Sequence, residues 1–370
     1  DSILNERSAE VSKKFNQSPK LYKDFRKLLE QKDIDAVIVG TPDHWHCLIT
    51  VSALQAGKHV YCEKPMANTI AECNIMVRAA NYYNKQVVQI GQQQRSGLVF
   101  QKAMELIKTG KIGKLRRANI WANFNYGVGQ NIIPDEPVPA GVDFDMWLGP
   151  APIRTFNKTR FHGVWRMFWD YGGGLMSDWG VHLLDIGLWA KDITSPPEKV
   201  LVYGANTYHE KRSRETFDSM SVIYPKDDFV INWDMTAGVE KGPYDSSYGL
   251  VFIGDLGTIV LDRSKLIINP EWDNQAKKPK IEEYKFTKGK ESHGDHVKNF
   301  LDCIRTGSKP ACPPETGRAA ALHVHIPNIA ARTGEPVLLW DDMNNRFTNS
   351  EAANELITTV YRKPWALPVF

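Results

Sequence analysis

The chain has 370 residues, and its acidic and basic residues are interspersed to a formal net charge of +3. This balance provides no broad basic face for nucleic acid, and no apolar run approaches the length of a membrane span. Five cysteines without a CxxC pair argue against a disulfide framework, and the length predicts two domains.

The first part of the chain alternates helices with short apolar strands. We predict, in chain order, a helix over 22–32, a strand over 35–40, a helix over 47–56, a strand over 58–62, a helix over 70–84 and a strand over 86–91. This alternation predicts a doubly wound, Rossmann-type parallel sheet. Functional groups in such sheets follow the carboxyl ends of the strands. Three polar stretches fall there: TPDHWH at 41–46, EKP at 63–65 and GQQQR at 91–95.

The pattern changes after a helix predicted over 98–109. A long strand is predicted over 115–124, and the later strands alternate apolar with polar residues between short turns. This predicts a large open sheet that is mainly antiparallel. Helices predicted over 296–307 and 315–332 return to it.

These patterns predict an N-terminal domain at 1–114 and a larger α+β domain at 115–370. The connection 127–170 is rich in proline and aromatic residues. It is too long for a passive loop in a compact domain, so we expect it to be functional.

The stretch YGGGLMSDWGVHLLDIGLW, at 171–189, combines a glycine turn with helical spacing. We predict a helix that begins at Ser177 or Asp178, which would place Asp178 and His182 on one face with Asp185 close by. Burying a polar pair on so apolar a helix costs free energy unless the pair has a function or its hydrogen bonds are satisfied. It could be a buried structural hydrogen bond, a carboxylate that orients a catalytic imidazole, or a metal pair.

Lys64 follows a buried strand directly, within Glu63-Lys64-Pro65. A strand end between two halves of a sheet is partly desolvated, and a lysine there can exchange protons. A lysine after a strand is otherwise usually a solvated surface group.

Taken together, these stretches resemble the Gfo/Idh/MocA family of NAD(P)-dependent oxidoreductases, the family of glucose-fructose oxidoreductase and inositol dehydrogenase. The resemblance is carried by DAVIVGTPDHWH, AGKHVYCEKPMA, QIGQQQR, HGVWRMFWDYGGGLMSDWGVHLLDIGLW and HVKNFLDCIRTG. It implies NAD or NADP as cofactor, a substrate-binding and oligomerisation role for the second domain, and a homodimer or homotetramer. It also implies a small sugar or cyclitol substrate.

The resemblance also implies roles for individual residues. Lys64 matches the family lysine that hydrogen-bonds the reacting hydroxyl, His182 matches the acid/base histidine, and Asp178 matches the aspartate beside them. The positions that match the cofactor-binding part of the family are Thr41, Pro42, His46, Glu63, Pro65, Gln92, Trp165 and Arg166. We expect Arg95, His162 and Tyr171 to contact the substrate, and we expect no metal.

One departure concerns the first strand and the G-x-G-x-x-G loop with which the family begins. Neither is found in this sequence, and the nearest candidate, Gly127 and Gly129, lacks the third glycine. Either the sequence omits an N-terminal segment of the protein, which we expect, or cofactor binding has been lost. In the first case Asp1 would lie near the adenosine ribose. An export signal would also lie in that segment, which leaves a cytoplasmic and an exported protein both open.

The leading hypothesis is hydride transfer between a hydroxyl-bearing carbon of a sugar, glycoside or cyclitol and the nicotinamide. A second is an NAD-dependent glycosidase or lyase that oxidises its sugar transiently with no net redox change. A third is a metal-dependent hydrolase or isomerase that uses His44, His46, His293 and His296. A non-catalytic sugar-binding module is a fourth.

Overall fold

The computed structural model describes residues 3–287 and 293–370, so that Asp1 lies outside the described residues. The N-terminal region contains, in chain order, α1 (Leu4–Phe15), α2 (Phe25–Leu29), β1 (Ala36–Val39), α3 (His46–Gln55), β2 (His59–Cys62), α4 (Ile70–Tyr82), β3 (Val88–Ile90) and α5 (Leu98–Lys108).

The three strands of this region form one parallel sheet in the order β1-β2-β3. Val37 pairs with Val60, and Val60 pairs in turn with Val88. Their apolar runs suit a sheet that is covered by helices on its faces. The predicted helix over 22–32 is wrong over most of its length. Only the single turn of α2 is helical, and the side chain of Asp24 caps it by accepting from the Arg26 backbone N–H.

The second region is built on a ten-stranded sheet in the order β13-β10-β9-β8-β4-β7-β6-β5-β14-β15. Its strands are β4 (Leu115–Ala122), β5 (Lys199–Ala205), β6 (Ser219–Pro225), β7 (Val230–Thr236), β8 (Tyr248–Gly254), β9 (Gly257–Leu261), β10 (Lys265–Pro270), β13 (Tyr284–Thr287), β14 (Val337–Asp341) and β15 (Arg346–Phe347). A separate ribbon joins β11 (Trp272–Asp273) to β12 (Lys278–Pro279). The pair β4–β7 is parallel and the other pairs are antiparallel, so the sheet is mixed.

The remaining helices are α6 (Phe144–Leu148), α7 (Val181–Trp189), α8 (His293–Thr306), α9 (Pro314–Thr333) and α10 (Glu351–Asn354). α9 packs against α7 and β5 of the second region and also against α4 and β3 of the first. The first sheet is tied to the late helices by hydrogen bonds as well. Gln89 donates to the His296 carbonyl at 2.8 Å, and the Ile90 N–H donates to the Cys312 carbonyl at 2.9 Å.

The glycine-rich stretch enters its helix earlier than predicted. A π-helical turn, Met176–Gly180, precedes α7, so Asp178 lies inside the helical segment rather than at its start. The glycines before it are required by close packing. A Cβ at Gly173 would lie 2.8 Å from Ser177 Oγ, and one at Gly174 would lie 2.7 Å from Thr216.

The C-terminal tail docks on the N-terminal region and on α6. The ring of Trp365 packs edge-on against Trp45 with centroids 4.9 Å apart, and Arg362 pairs with Asp145 at 2.6 Å. Among the described residues, no helix is long and apolar enough to cross a membrane.

Candidate active site

A cleft of about 490 Å³ lies where β1 and β2 end, between these strand ends and the long connection that follows β4. It is lined by Gly40, Thr41, Pro42, Glu63, Lys64, Trp147, His162, Trp165 and Arg166. Seven of the residues predicted from the sequence therefore meet at one place. Parallel strands of one sheet bring their carboxyl ends together, and the connection closes the opposite side.

Asp178 lies beside this cleft and accepts hydrogen bonds from several of the side chains around it. Its carboxylate Oδ1 accepts from the Lys64 ammonium at 2.6 Å and from Arg166 Nε at 2.9 Å, and its Oδ2 accepts from the Tyr126 hydroxyl at 2.6 Å. The backbone carbonyl of Asp178 accepts from the same ammonium at 2.9 Å. The π-helical turn thus presents both the side chain and the main chain of Asp178 to Lys64.

The charges around Asp178 keep it ionised. Burial alone would raise the pKa of its carboxyl, but the positive charges of Lys64 and Arg166, with the hydrogen bonds from Lys64 and Tyr126, outweigh burial and lower that pKa. Arg166 is held from its other side by the Trp165 ring, which lies 4.2 Å from the guanidinium carbon.

His182 lies one turn further along the helix and is 5 % exposed. Its Nδ1 is buried and has no hydrogen-bond partner among the described residues. Burial lowers the pKa of His182 well below its ordinary value, and the positive charges of Lys64 and Arg263 lower it further, although Asp178 opposes them. The carboxylate of Asp178 favours the charged form of the ring but does not outweigh burial and the two cations. Its oxygens accept from Lys64, Arg166 and Tyr126, so an orienting role of Asp178 toward His182 remains a prediction. The imidazole is neutral.

Two further residues belong to this cluster and were not singled out from the sequence. Tyr126 follows β4 in the long connection, and Asp43 lies inside the TPDHWH stretch. Asp43 is 1 % exposed, and both of its carboxylate oxygens lack a hydrogen-bond partner in the described part of the chain. The position of Asp43 shortly after the end of β1 is visible in the sequence and indicates a place near the site. No feature of the sequence indicates Tyr126.

His46 lies behind the cleft rather than in it. Its Nδ1 is 2.7 Å from the Pro65 carbonyl and its Nε2 is 2.9 Å from the Thr41 carbonyl. The ring therefore fastens the loop after β1 to the loop after β2. Through this contact His46 and Pro65 position the cleft without lining it.

Three other predicted residues also lie away from the cleft. Arg95 forms a bidentate ion pair with Asp185 on α7, with Nε–Oδ2 and Nη2–Oδ1 both at 2.8 Å. Tyr171 is buried between the rings of His44 and Trp147. Gln92 is buried, and its side-chain amide has no partner within the described ranges. Their binding roles remain predictions, and the contacts of Arg95 and Tyr171 are those of core residues.

The histidines considered for a metal do not converge. His44 faces the Trp147 carbonyl, His46 is engaged by two carbonyls, and His296 lies between the Ile90 carbonyl and the Ser96 hydroxyl. His293 approaches Gln93. Residues 3–287 and 293–370 contain no group of three or more potential ligands placed to hold an ion.

The residues that line the cleft fit the nicotinamide end of a dinucleotide. The Thr41 hydroxyl is buried and has no hydrogen-bond partner within residues 3–287 and 293–370. Trp165 supplies a flat apolar wall, and Lys64 and Arg166 supply donors. A cleft at the carboxyl ends of parallel strands is where such cofactors bind in doubly wound sheets. The fit covers this end only, because the sequence carries no G-x-G-x-x-G pattern for the pyrophosphate.

The fold and the cleft define a two-domain oxidoreductase with a Rossmann-type domain. A family model described as "Oxidoreductase family, NAD-binding Rossmann fold" matches residues 2–92, and one described as "Oxidoreductase family, C-terminal alpha/beta domain" matches residues 106–239 and 273–367. The second covers more than half of the chain, which therefore belongs to the Gfo/Idh/MocA family. The predictions of this family, of the fold class and of an NAD-type cofactor domain are confirmed.

The proteins that the chain resembles include inositol dehydrogenases and a sugar oxidoreductase. The chain is 33 % identical over 112 residues to inositol 2-dehydrogenase of Salmonella paratyphi B, a match that covers 30 % of this chain and about a third (33 %) of that protein. It is 22 % identical over 326 residues to myo-inositol 2-dehydrogenase of Thermotoga maritima, covering 86 % and 84 % of the two chains. A levoglucosan dehydrogenase solved with NADH and levoglucosan shares the fold, with a TM-score of 0.67 at 18 % identity over 90 % of this chain and 87 % of that one.

Proposed function

We propose that the protein is an NAD(P)-dependent dehydrogenase that oxidises a hydroxyl-bearing carbon of a sugar or cyclitol. The observation that carries the proposal is the combination of a cleft-lining Lys64, tethered by Asp178, with a neutral His182 on the same helical segment as Asp178, whose Nδ1 has no hydrogen-bond partner among the described residues. One group donates to the reacting hydroxyl and the other accepts its proton.

Lys64 is suited to hold the substrate hydroxyl. An ammonium has three N–H donors, and two of those on Lys64 are directed to the oxygens of Asp178. The third is available to a hydroxyl in the cleft. Because Asp178 fixes the ammonium at two points, the donor is held in place before the substrate arrives, which is the condition for efficient polarisation.

His182 is suited to take the proton. Its lowered pKa means that the ring is neutral at physiological pH, so a nitrogen lone pair is available as a base. When the ring does accept a proton, the adjacent Asp178 carboxylate stabilises the charge. Such general-base help is typically worth about 10²–10⁴ in rate.

The bound nicotinamide would supply the acceptor for the hydride that leaves the carbinol carbon. Thr41, Glu63, Trp165 and Arg166 would hold that end of the cofactor, while His162 and Trp147, which line the same cleft, would face the substrate. A polar imidazole beside a large indole suits a polyhydroxylated ring. The relatives named inositol and levoglucosan dehydrogenases support this substrate class.

The test is a dehydrogenase screen of inositols, aldoses, glycosides and anhydrosugars that follows NADH absorbance. With the best substrate, Lys64→Ala and His182→Ala should each lower kcat by about 10²-fold or more, since each removes one acid/base group. Cofactor binding should change little. The matched controls are Lys20→Ala and His209→Ala, whose side chains are 72 % and 74 % exposed. Full turnover in either active-site variant would overturn the proposal.

The same screen separates the redox-neutral alternative. A glycosidase or lyase that returns the hydride releases a cleaved glycoside without a net change in NADH absorbance, and product analysis detects it. The comparisons do not favour this alternative, which remains an outcome of the screen.

We also propose that the protein assembles as a homodimer or homotetramer through the open face of the large sheet. Tyr203 on β5 is 73 % exposed and Ile223 on β6 is 43 % exposed, so this face carries apolar surface. Light scattering after size exclusion gives the mass. A monomer at micromolar concentration would contradict this part of the proposal.

A further inference from the structure

Asp43 is a buried acid for which the proposed reaction has no use. It follows the cleft residues Thr41 and Pro42 directly, yet both of its oxygens lack a hydrogen-bond partner among the described residues. The charges that act on it are those of Arg166, Lys64 and Asp178. Arg166 and Lys64 line the cleft, and Asp178 accepts a hydrogen bond from each of them.

The formal charge of the cleft lining, together with Asp178 beside it, is balanced before Asp43 is counted. Lys64 and Arg166 are positive, while Asp178 beside the cleft and Glu63 in its wall are negative. His182 is neutral. An ionised Asp43 therefore leaves the site with one excess negative charge, and a protonated Asp43 leaves it uncharged.

The oxidised and reduced forms of a nicotinamide cofactor also differ by one unit of charge. The oxidised ring carries one positive charge and the reduced ring carries none. A low-dielectric site strengthens the interaction between such a ring and a nearby fixed charge. The fixed charge does not need to touch the ring, because the electrostatic interaction acts across several ångströms.

We infer that Asp43 is a positioning residue that sets the preference of the cleft for oxidised over reduced cofactor. This inference rests on the cofactor part of the proposed function. Ionised Asp43 stabilises the oxidised, cationic ring, and protonated Asp43 favours the reduced, neutral ring. Binding of the oxidised cofactor to protein with a protonated Asp43 releases that proton to solvent, which balances the charge.

The environment of Asp43 allows it to change state near neutral pH. Burial raises the pKa of its carboxyl to about 7; the charges of Arg166 and Lys64 lower that pKa, while Asp178 raises it. The preference for oxidised cofactor should thus be weak at pH 6 and strong at pH 8. His162 lines the same cleft, and His46 lies behind the loop that carries Thr41 and Pro42.

The experiment measures the dissociation constants of NAD⁺ and NADH at pH 6 and pH 8, without substrate, by calorimetry and by NADH fluorescence. In the unaltered protein the ratio of the two constants should shift toward NAD⁺ by about tenfold at pH 8. This is the effect expected of one unit charge acting over about 10 Å at an effective dielectric of about 20. In Asp43→Asn the ratio should favour NADH at both pH values. Calorimetry in two buffers of different ionisation enthalpy should detect proton release on NAD⁺ binding only when Asp43 is present.

The matched control is Glu72→Gln. Glu72 is also buried, and burial raises its pKa to about 7, but its hydrogen bonds are with Thr69, Asn68 and Tyr361, away from the cleft cations. This variant should keep the pH-dependent ratio. An Asp43→Asn protein that melts like the original but keeps the pH-dependent ratio would overturn the inference, and so would failure of the protein to bind either cofactor form. Because no turnover is measured, a failed substrate screen does not affect this test.

Discussion

The Lys64 ammonium donates to two oxygens of one residue, the carboxylate and the backbone carbonyl of Asp178, at 2.6 and 2.9 Å. Both side chains are about seven-eighths buried, with 12 % and 14 % exposure. The contact joins the end of β2 to the helical segment that carries His182, and it therefore connects the two regions of the chain at the proposed site of reaction.

Asp178→Asn should remove the charge that holds Lys64 and Arg166 while keeping the shape of the side chain. We expect kcat to fall by about 10²-fold or more, because neither cation is then fixed toward the cleft. Tyr126→Phe is the matched variant, since it removes only the hydrogen bond to Oδ2, and its effect should be about tenfold or less. Steady-state kinetics on both variants gives the comparison. Equal losses would show that Tyr126 takes part in the chemistry directly.

The pH dependence of turnover tests the neutral state of His182. Its lowered pKa keeps the ring available as a base below pH 6.5, the ordinary value for histidine. In the Asp43→Asn background, which removes the buried acid beside Lys64 and Arg166, kcat should be flat between about pH 6 and 7.5 and should decrease only at lower pH. A decrease in kcat with a midpoint near pH 6.5 would mean that His182 gains its proton as an ordinary imidazole does.

The sequence was sufficient for the parts of this protein that depend on local pattern. The apolar strands and their polar carboxyl ends predicted the first sheet and the position of Lys64, because residues at strand ends of a parallel sheet must meet. The partners of Asp178 could not be predicted in the same way. Tyr126 lies far from it in sequence and no spacing relates the two, so only the folded chain brings them together.

Burial bears on several binding roles that residue type suggested. Tyr171 belongs to an aromatic-rich stretch that could have stacked on a sugar, but the fold places its ring between His44 and Trp147. Arg95 follows β3 as a substrate-binding group would, yet Asp185 neutralises it. The signal for that pair was present, because an acid on an apolar helix face requires a cation. That Arg95 is the cation paired with Asp185 could not be predicted from the sequence.

The ion pair of Arg95 and Asp185 should stabilise the fold. The two side chains are 10 % and 1 % exposed, so Asp185→Asn would leave a buried guanidinium without its counter-charge. We expect a loss of about 3–5 kcal/mol in the free energy of unfolding, measured by urea denaturation, with KM nearly unchanged at temperatures where the variant is folded. The control is Asp302→Asn, which breaks exposed pairs with Lys298 and Arg305 and should change the free energy of unfolding little. A large rise in KM without loss of stability would restore Arg95 to the substrate site.

His46 should stabilise the protein in a pH-dependent manner. A neutral imidazole has one N–H, so only the charged ring can donate to both the Thr41 and the Pro65 carbonyls. Burial opposes the charge, but Cys62 and the two carbonyls outweigh burial and raise the pKa of His46. A raised pKa in the folded state means that this stabilisation is complete below the unfolded value of about 6.5 and is lost as the pH rises through the folded value.

His46→Gln should therefore destabilise the protein by about 1.5–3 kcal/mol at pH 6, the usual contribution of hydrogen bonds from a charged donor. The difference from the original protein should shrink by pH 9. His325→Gln is the control, because burial lowers the pKa of His325 to about 4 and its hydrogen bond to the Ala67 carbonyl does not change between these pH values. Thermal melts of the three proteins across this range give both differences. If the loss of stability in each variant does not change with pH, His46 is a neutral ring. It then joins the loops after β1 and β2 by donating one hydrogen bond only.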